Sequence, residues 1–402
     1  MLSSTEEEPY CSWKDELLTR IESILNRRGL SVHGREEDIR VYLHLIRNHF
    51  AGKQISDHVS PLINAFLKSA KTETKETIPS LKAIAATVIT DQSGHYYEMC
   101  CPSLKSIILR CESTPTKTEA IHTLGNITVY GGAATDATEE IMDFLLEIIE
   151  SNGHSISAAN ASDIITASLQ QYGFLATQLE DMSESTQPAM EILIDQLASS
   201  HPSVQVAAGE NIALLYEKSY TEVESDDELS EPDDATPSQI TLKRYDPNNT
   251  LPQTMVKRYD PYRRRDQLLR TLEGLAKVSS KDLSKKDRKA LHTSFADILQ
   301  SVEVPTLGPR YSAAMDAEGK KEYGSRLTVK VSKKKIMRID RWWKLHQLKA
   351  LKRVLQEGFL EHFEKNGVVR QGLAGVDDAG VTGSSRALLF IAREMMKEDR
   401  LD

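Results

Sequence analysis

The chain contains few of the residues on which covalent architecture or site chemistry is usually built. Of 402 residues only four are cysteine, Cys11, Cys100, Cys101 and Cys111. None forms C-x-x-C, and the adjacent pair has no partner pair, which argues against a zinc site and a disulfide framework. Free thiols in a reducing compartment are the plain expectation. Aromatic residues make up only 6 % and apolar residues 40 %, with Ala, Leu and Ile foremost. That mixture suits helices better than a β-sandwich, which draws on Val, Thr, Tyr and Phe. No run approaches the roughly 18 apolar residues that a membrane-spanning helix needs. The first residues, Met1 to Glu8, are acidic where a signal peptide is basic and then apolar. A soluble protein of the cytoplasm, with the nucleus as a second compartment, is expected.

Catalytic constellations are also missing. His33, His44 and His49 lie close together, but there is no H-E-x-x-H and no placed carboxylate, so ordinary surface or core histidines are the better reading. Gly131-Gly132 lacks the spacing of a phosphate loop, and no serine sits in a G-x-S-x-G elbow. The acidic residues read as solvated charge on helix faces rather than as a paired acid and base. The sequence predicts no enzyme, no cofactor, no metal and no small-molecule substrate.

What the chain does have is charge asymmetry and a repeat. Residues 1–240 hold 16 Lys and Arg against 38 Asp and Glu, whereas residues 241–402 hold 34 against 21. A bland total of −9 thus conceals an acidic body joined to a basic one. The basic part requires anionic company: nucleic acid, an acidic protein, or the chain's own acidic half. From residue 12 to 220 the chain reads as successive helices, with stripes such as Trp13, Leu17, Ile21 and Ile24, or Ile141, Phe144, Leu145 and Ile148. Helices rich in small residues recur around Ala83, Ala120, Ala167 and Ala208. A period of about 40 residues predicts an all-α armadillo/HEAT-like helical-repeat solenoid, small residues allowing stacked helices to approach closely. The competing reading is an irregular helical domain with chance spacing.

Residues 1–11 read as a disordered N-terminus, and 221–262 as a linker. Glu222 to Asp234 is acidic and proline-bearing, unable to bury a core, and should be disordered. Ser225 and Ser230 there have the acidic surroundings that acidophilic kinases favour. Lys-Arg-Tyr-Asp-Pro occurs twice, at 243–247 and 257–261, either as a functional repeat or as a local duplication. Helical pattern resumes over 263–370, a basic module, with a short extended stretch at 326–331. Residues 371–402 hold a Gly-rich hinge and a short terminal helix.

Residues 241–370 carry 30 basic against 15 acidic residues, with Tyr259, Tyr262, Trp342 and Trp343 interleaved. This is the composition that grips phosphates and stacks on bases. The expected nucleic-acid-binding residues are Arg263, Arg264, Arg265, Lys333, Lys334, Lys335, Arg338, Arg341, Trp342, Lys349, Lys352 and Arg353. A single helix over 333–353 would put Lys334, Arg338, Arg341, Lys349 and Lys352 on one stripe. Trp343 would then face a core and Trp342 a ligand. In a third arrangement the acidic run 222–234 lies against this module and masks it.

Three segments carry a resemblance: Gly-Glu-Asn-Ile-Ala-Leu-Leu-Tyr-Glu at 209–217, Ser-Lys-Lys-Asp-Arg-Lys-Ala-Leu-His-Thr-Ser-Phe-Ala-Asp-Ile-Leu at 284–299, and Ile-Asp-Arg-Trp-Trp-Lys at 339–344. With the acidic insertion between the first two, residues 12–370 resemble the interferon-related developmental regulator family. The Lys-Arg-Tyr-Asp repeats and the continuous solenoid suggest a fungal-type member. The resemblance implies a non-enzymatic armadillo-like regulatory scaffold. Animal members are described both as transcriptional co-regulators and as factors that associate with inactive ribosomes. The chain departs from the family in lacking a basic, Ser-rich N-terminal extension and in its tail after Leu373. The favoured expectation is association with ribosomes and rRNA through the basic module to regulate translation. The alternative is a nuclear co-regulator that binds regulatory proteins on a concave solenoid face.

Overall fold

The computed structural model describes residues 12–27, 29–91, 95–222, 239–241, 254–277, 284–315, 322–331 and 336–373. Eleven helices come first: α1 (Trp13–Asn26), α2 (Val32–Asn48), the single turn α3 (Gly52–Ile55), α4 (Val59–Ala70), α5 (Thr77–Thr90), α6 (Tyr97–Arg110), α7 (Thr114–Tyr130), α8 (Thr135–Glu150), α9 (Ser162–Ala176), α10 (Ser183–Gln196) and α11 (Pro202–Lys218). Short strands β1 (Tyr220–Glu222), β2 (Gln239–Thr241) and β3 (Thr254–Lys257) follow, then α12 (Arg265–Lys277) and α13 (Lys285–Glu303). The last elements are β4 (Tyr311–Met315), β5 (Glu322–Ser325), β6 (Thr328–Lys330), β7 (Ile336–Arg338), α14 (Trp342–Leu355), α15 (Phe359–Lys365) and α16 (Gly367–Leu373). The described residues fall into two compact units, 12–138 with 351–373, and 139–350.

Local signals start many of these helices. The hydroxyls of Ser12, Ser31 and Ser113 accept from the backbone N–H three residues on, capping α1, α2 and α7. Pro115 and Pro202 occupy the first turns of α7 and α11, where a missing N–H costs nothing.

In the first unit α1 pairs with α2, α4 with α5 and α6 with α7, while α2, α5 and α7 stack side by side. The small-residue segments around Ala83 and Ala120 are the stacked helices α5 and α7, buried on nearly every face. Polar side chains tie the stack together. The Tyr42 hydroxyl meets Thr87 at 2.8 Å, and Thr123 Oγ1 donates to the Leu81 carbonyl at 3.2 Å. Residues 351–373 close the ends of two of these helices. His362 Nε2 hydrogen-bonds the Ile46 carbonyl at 2.8 Å, and Asn366 Nδ2 donates to the Ile89 carbonyl at 2.7 Å. These are last-turn carbonyls of α2 and α5, which lack helical partners. The approach requires glycine at 358, because a Cβ there would lie 1.7 Å from the Arg47 carbonyl oxygen.

In the second unit α10 pairs with α11 and α12 with α13, while α9, α11 and α13 form the stack. The segments around Ala167 and Ala208 are α9 and α11, linked by Asn211 Nδ2 donating to the Leu169 carbonyl at 2.8 Å. Helical repeats are therefore the architecture of both units, as the 40-residue period predicts. The solenoid was expected to end at 220, but α12 and α13 add a further helix pair to the stack beyond the insertion. The expected linker is an insertion between two such pairs. Its described residues make an antiparallel sheet of order β1-β3-β2. The acidic run beyond Glu222 and the first Lys-Arg-Tyr-Asp-Pro copy lie outside the described residues. The second copy continues from β3 and brings the Tyr259 hydroxyl 3.4 Å from Thr186. Two antiparallel hairpins, β4-β5 and β6-β7, follow α13, and β6 fulfils the extended reading at 326–331.

Candidate nucleic-acid interface

Helix α14 is the element on which the sequence reading turns. It does not begin at Lys333: residues 336–338 are strand β7, Lys333–Lys335 lie outside the described residues, and the helix starts at Trp342. The single basic stripe over 333–353 is thus broken by an intervening strand. The helix register is set from Trp342, so that Trp342, His346 and Lys349 share the face turned to α9 and α11.

What starts α14 is a carboxylate from elsewhere in the chain. Glu217, near the end of α11 and only 7 % exposed, accepts the backbone N–H of Trp342 at 2.8 Å and of Trp343 at 3.1 Å. It acts as an N-terminal cap from 125 positions away, and it places negative charge at the positive end of the helix dipole. Trp342 is 2 % exposed, and its Nε1 donates to Ser301 Oγ at 2.7 Å. Trp343 is half-buried, with the Lys344 ammonium 5.6 Å from its ring centre. The expected roles of the two tryptophans are therefore reversed: Trp342 is the core anchor.

Several expected phosphate ligands are engaged within the chain. Arg341 is buried, and its Nη1 donates to the Thr306 carbonyl at 3.3 Å. Lys349 is exposed, and its Nζ lies 2.5 Å from both carboxylate oxygens of the buried Glu210. Arg264 pairs with Glu191 at 3.1 Å and lies over the Tyr262 ring. Arg265 donates to the carbonyls of Val302 and Glu303 at 3.0 and 2.9 Å, satisfying the end of α13. Arg341 and Trp342 are thus core residues, while Lys349, Arg264 and Arg265 have acceptors within the chain. Arg341 is buried with its internal acceptor, whereas Arg264, Arg265 and Lys349 stay exposed beside theirs. Arg263 and Arg338 are exposed. Lys352 is exposed with its ammonium 5.7 Å from the Phe359 ring, and Arg353 lines a hollow with Glu119.

The reading of all acidic residues as solvated charge missed Glu210 and Glu217. They stand seven residues apart, two helical turns, on the small-residue face of α11. Carboxylates on such a face were an available signal that a cationic element docks there.

His346 packs beside them, its Nε2 3.4 Å from the Glu210 carbonyl. Its ring atoms occupy the space that a Cβ on Gly173 of α9 would need. Burial, opposed by the attraction of Glu210, pushes its pKa down to about 4. The folded state therefore binds this proton less readily than the unfolded one. The resulting stability is complete above about pH 6.5 and is lost as pH falls towards 4. Urea unfolding should show wild type roughly 3 kcal/mol less stable at pH 4.5 than at pH 7.5 from this group. His346→Gln should flatten that part of the profile, and an unchanged slope would count against the assignment.

Among the described residues, Arg263, Arg270, Lys285 and Lys289 are exposed on the α12–α13 pair and just before it, as are Asp266 and Glu273. No helix among the described residues is long and apolar enough to cross a membrane.

Comparison with known proteins places this architecture. Residues 2–303 match the interferon-related developmental regulator family. The chain belongs to that family. The match ends at Glu303, the last residue of α13, so this interferon-related developmental regulator carries its family-defining region through the α12–α13 pair. The hairpins and α14, including the Ile339–Lys344 block, lie beyond it. An uncharacterized protein of Schizosaccharomyces pombe is similar to this family member, 27 % identical over 363 residues, 89 % of this chain and 74 % of the relative. The family and the helical-repeat fold together make it a regulatory helical protein.

Proposed function

We propose that the protein is a non-enzymatic regulatory scaffold that associates with ribosomes, its exposed cations meeting rRNA phosphates. The observation that carries this reading is the exposed set Arg263, Arg270, Lys285 and Lys289 at the α12–α13 pair. It remains after so much of the basic segment has been engaged internally. Such contacts release counterions, so binding weakens steeply with salt. The cytoplasm is the compartment this function needs.

The test is sucrose-gradient sedimentation of tagged protein from lysate. Changing all four cations to glutamine leaves the α14 contacts intact. It should abolish salt-sensitive co-migration with ribosomal particles and, in direct rRNA binding, lower the log–log salt slope by about 3. Undiminished co-migration of the variant would sink the idea. A second reading, a nuclear co-regulator that binds proteins, draws support from Leu18 and Leu25, exposed seven residues apart on α1. It cannot use the face of α9 and α11, which α14 covers, and it predicts partner capture that survives nuclease.

A further inference from the structure

We infer that residues 386–397 form an amphipathic helix that docks antiparallel on the outer face of α1. Helix α1 packs on α2 and α4, burying Leu17, Ile21 and Ile24 to at most 4 % exposure. Its opposite face is not polar. Leu18 is 41 % exposed and Leu25 36 %, and Val32, the first residue of α2, is 40 % exposed. Among the described residues, three of the six exposed large apolar side chains thus fall within residues 18–32. Apolar residues scattered singly need no cover, whereas a cluster on the outer helix of a repeat stack does. Leu18 and Leu25 stand seven residues apart, two helical turns. The exposed carboxylates of Asp15 and Glu22 run along one edge of this face, and the exposed Lys14 lies on the other.

Charge and reach select the occupant. The terminal helix expected from the sequence lies outside the described residues. On a helix Leu388, Ile391 and Met395 share a face at i, i+3 and i+7, with Met396 beside them. Arg386, Arg393, Lys397 and Arg400 recur at intervals of seven, four and three, a stripe along one edge of that face. Glu394, Glu398 and Asp402 follow the other edge. Because both helices are right-handed, antiparallel packing sets the cationic edge against Asp15 and Glu22 and the acidic edge against Lys14. Parallel packing would oppose like charges. Aligning Leu388 with Leu25 and Met395 with Leu18 brings Arg393 to Glu22. A second copy of α1, packed antiparallel on the first, would set Asp15 and Glu22 against themselves. The described chain reaches Leu373 in α16 of the same unit. Helix α15 just before it meets the end of α2, where Trp13 of α1 stacks on His49 with ring centres 4.4 Å apart. The connecting residues 374–385 span at most about 40 Å, against about 21 Å for the length of α1. The docking does not depend on ribosome association, and it covers the leucines that the co-regulator reading offers to another protein.

Hydrogen exchange of the full chain tests this. The amides of 386–397 should exchange at least about tenfold more slowly in wild type than in Leu18→Glu with Leu25→Glu. Both leucines are exposed, and unchanged exchange in α4 and α5 shows that the variant is folded. Glu22→Arg should also speed exchange of 386–397, and adding Arg393→Glu should slow it again, a gain that misfolding cannot give. The protection should be the same at low and high protein concentration. Rapid exchange of 386–397 in wild type, or protection that survives the leucine variant, would overturn the inference. So would failure of Arg393→Glu to restore protection, or protection that grows with concentration, as docking on a second copy would give.

Discussion

Glu217→Ala is expected to undock the start of α14 and to destabilise the second unit by about 3–5 kcal/mol. The carboxylate accepts two backbone N–H groups at 2.8 and 3.1 Å in a setting where it is itself 7 % exposed. Removing it leaves two donors near the helix N-terminus without an acceptor. Each charge-assisted hydrogen bond contributes roughly 1.5–3 kcal/mol, and the favourable charge at the dipole is lost as well. Glu217→Gln, which keeps one acceptor oxygen and presents an N–H₂ to the other donor, should lose about half as much. Urea unfolding gives the total. Hydrogen exchange at residues 342–350 locates it, because opening of this segment should accelerate those amides before the rest of the unit. Exchange there that matches wild type would refute the capping role.

Trp342→Ala is expected to cost about 3–5 kcal/mol, and Trp343→Ala less than about 1.5 kcal/mol. The first deletes a side chain 2 % exposed, leaving a cavity beside Ser301; the second removes a half-buried ring with a lysine across it. Trp342→Phe separates volume from hydrogen bonding. Ser301 Oγ already donates to the carbonyls of Asp297 and Leu307, at 3.0 and 2.8 Å, and keeps that donation when the indole is lost, so the phenylalanine variant should lose only about 1–2 kcal/mol. Equal losses at 342 and 343 would show that the helix register is not the one described.

The helices were legible because their causes are local. Ser12, Ser31 and Ser113 cap within three residues, and the apolar stripes recur within one turn. The inner row was legible as well: Ala83, Ala120, Ala167 and Ala208 mark α5, α7, α9 and α11 because stacked helices need small residues at that interval. The limits of α14 were not. Lys333 to Arg353 is uniformly basic and carries apolar residues at plausible helical spacing, so nothing in its own composition announces a strand at 336–338. The signal that ends the ambiguity is the acceptor at Glu217, 125 positions away. The hollow between α5 and α7 was invisible for the same reason, since Arg47, Lys82, Glu119 and Arg353 come from four distant segments.

The sequence by itself determined that this chain is helical, repetitive, and divided into an acidic and a basic part that must meet an anion. Period and composition express short-range physics, and each residue reports on its neighbours along the chain. Only the tertiary structure decided which anion much of the basic part meets. Charge attracts without naming its partner, and Lys349 finds Glu210 139 positions away because helix stacking brings those faces together. The same stacking buries Trp342 and leaves Arg263, Arg270, Lys285 and Lys289 exposed, which no count of lysines and arginines could have distinguished.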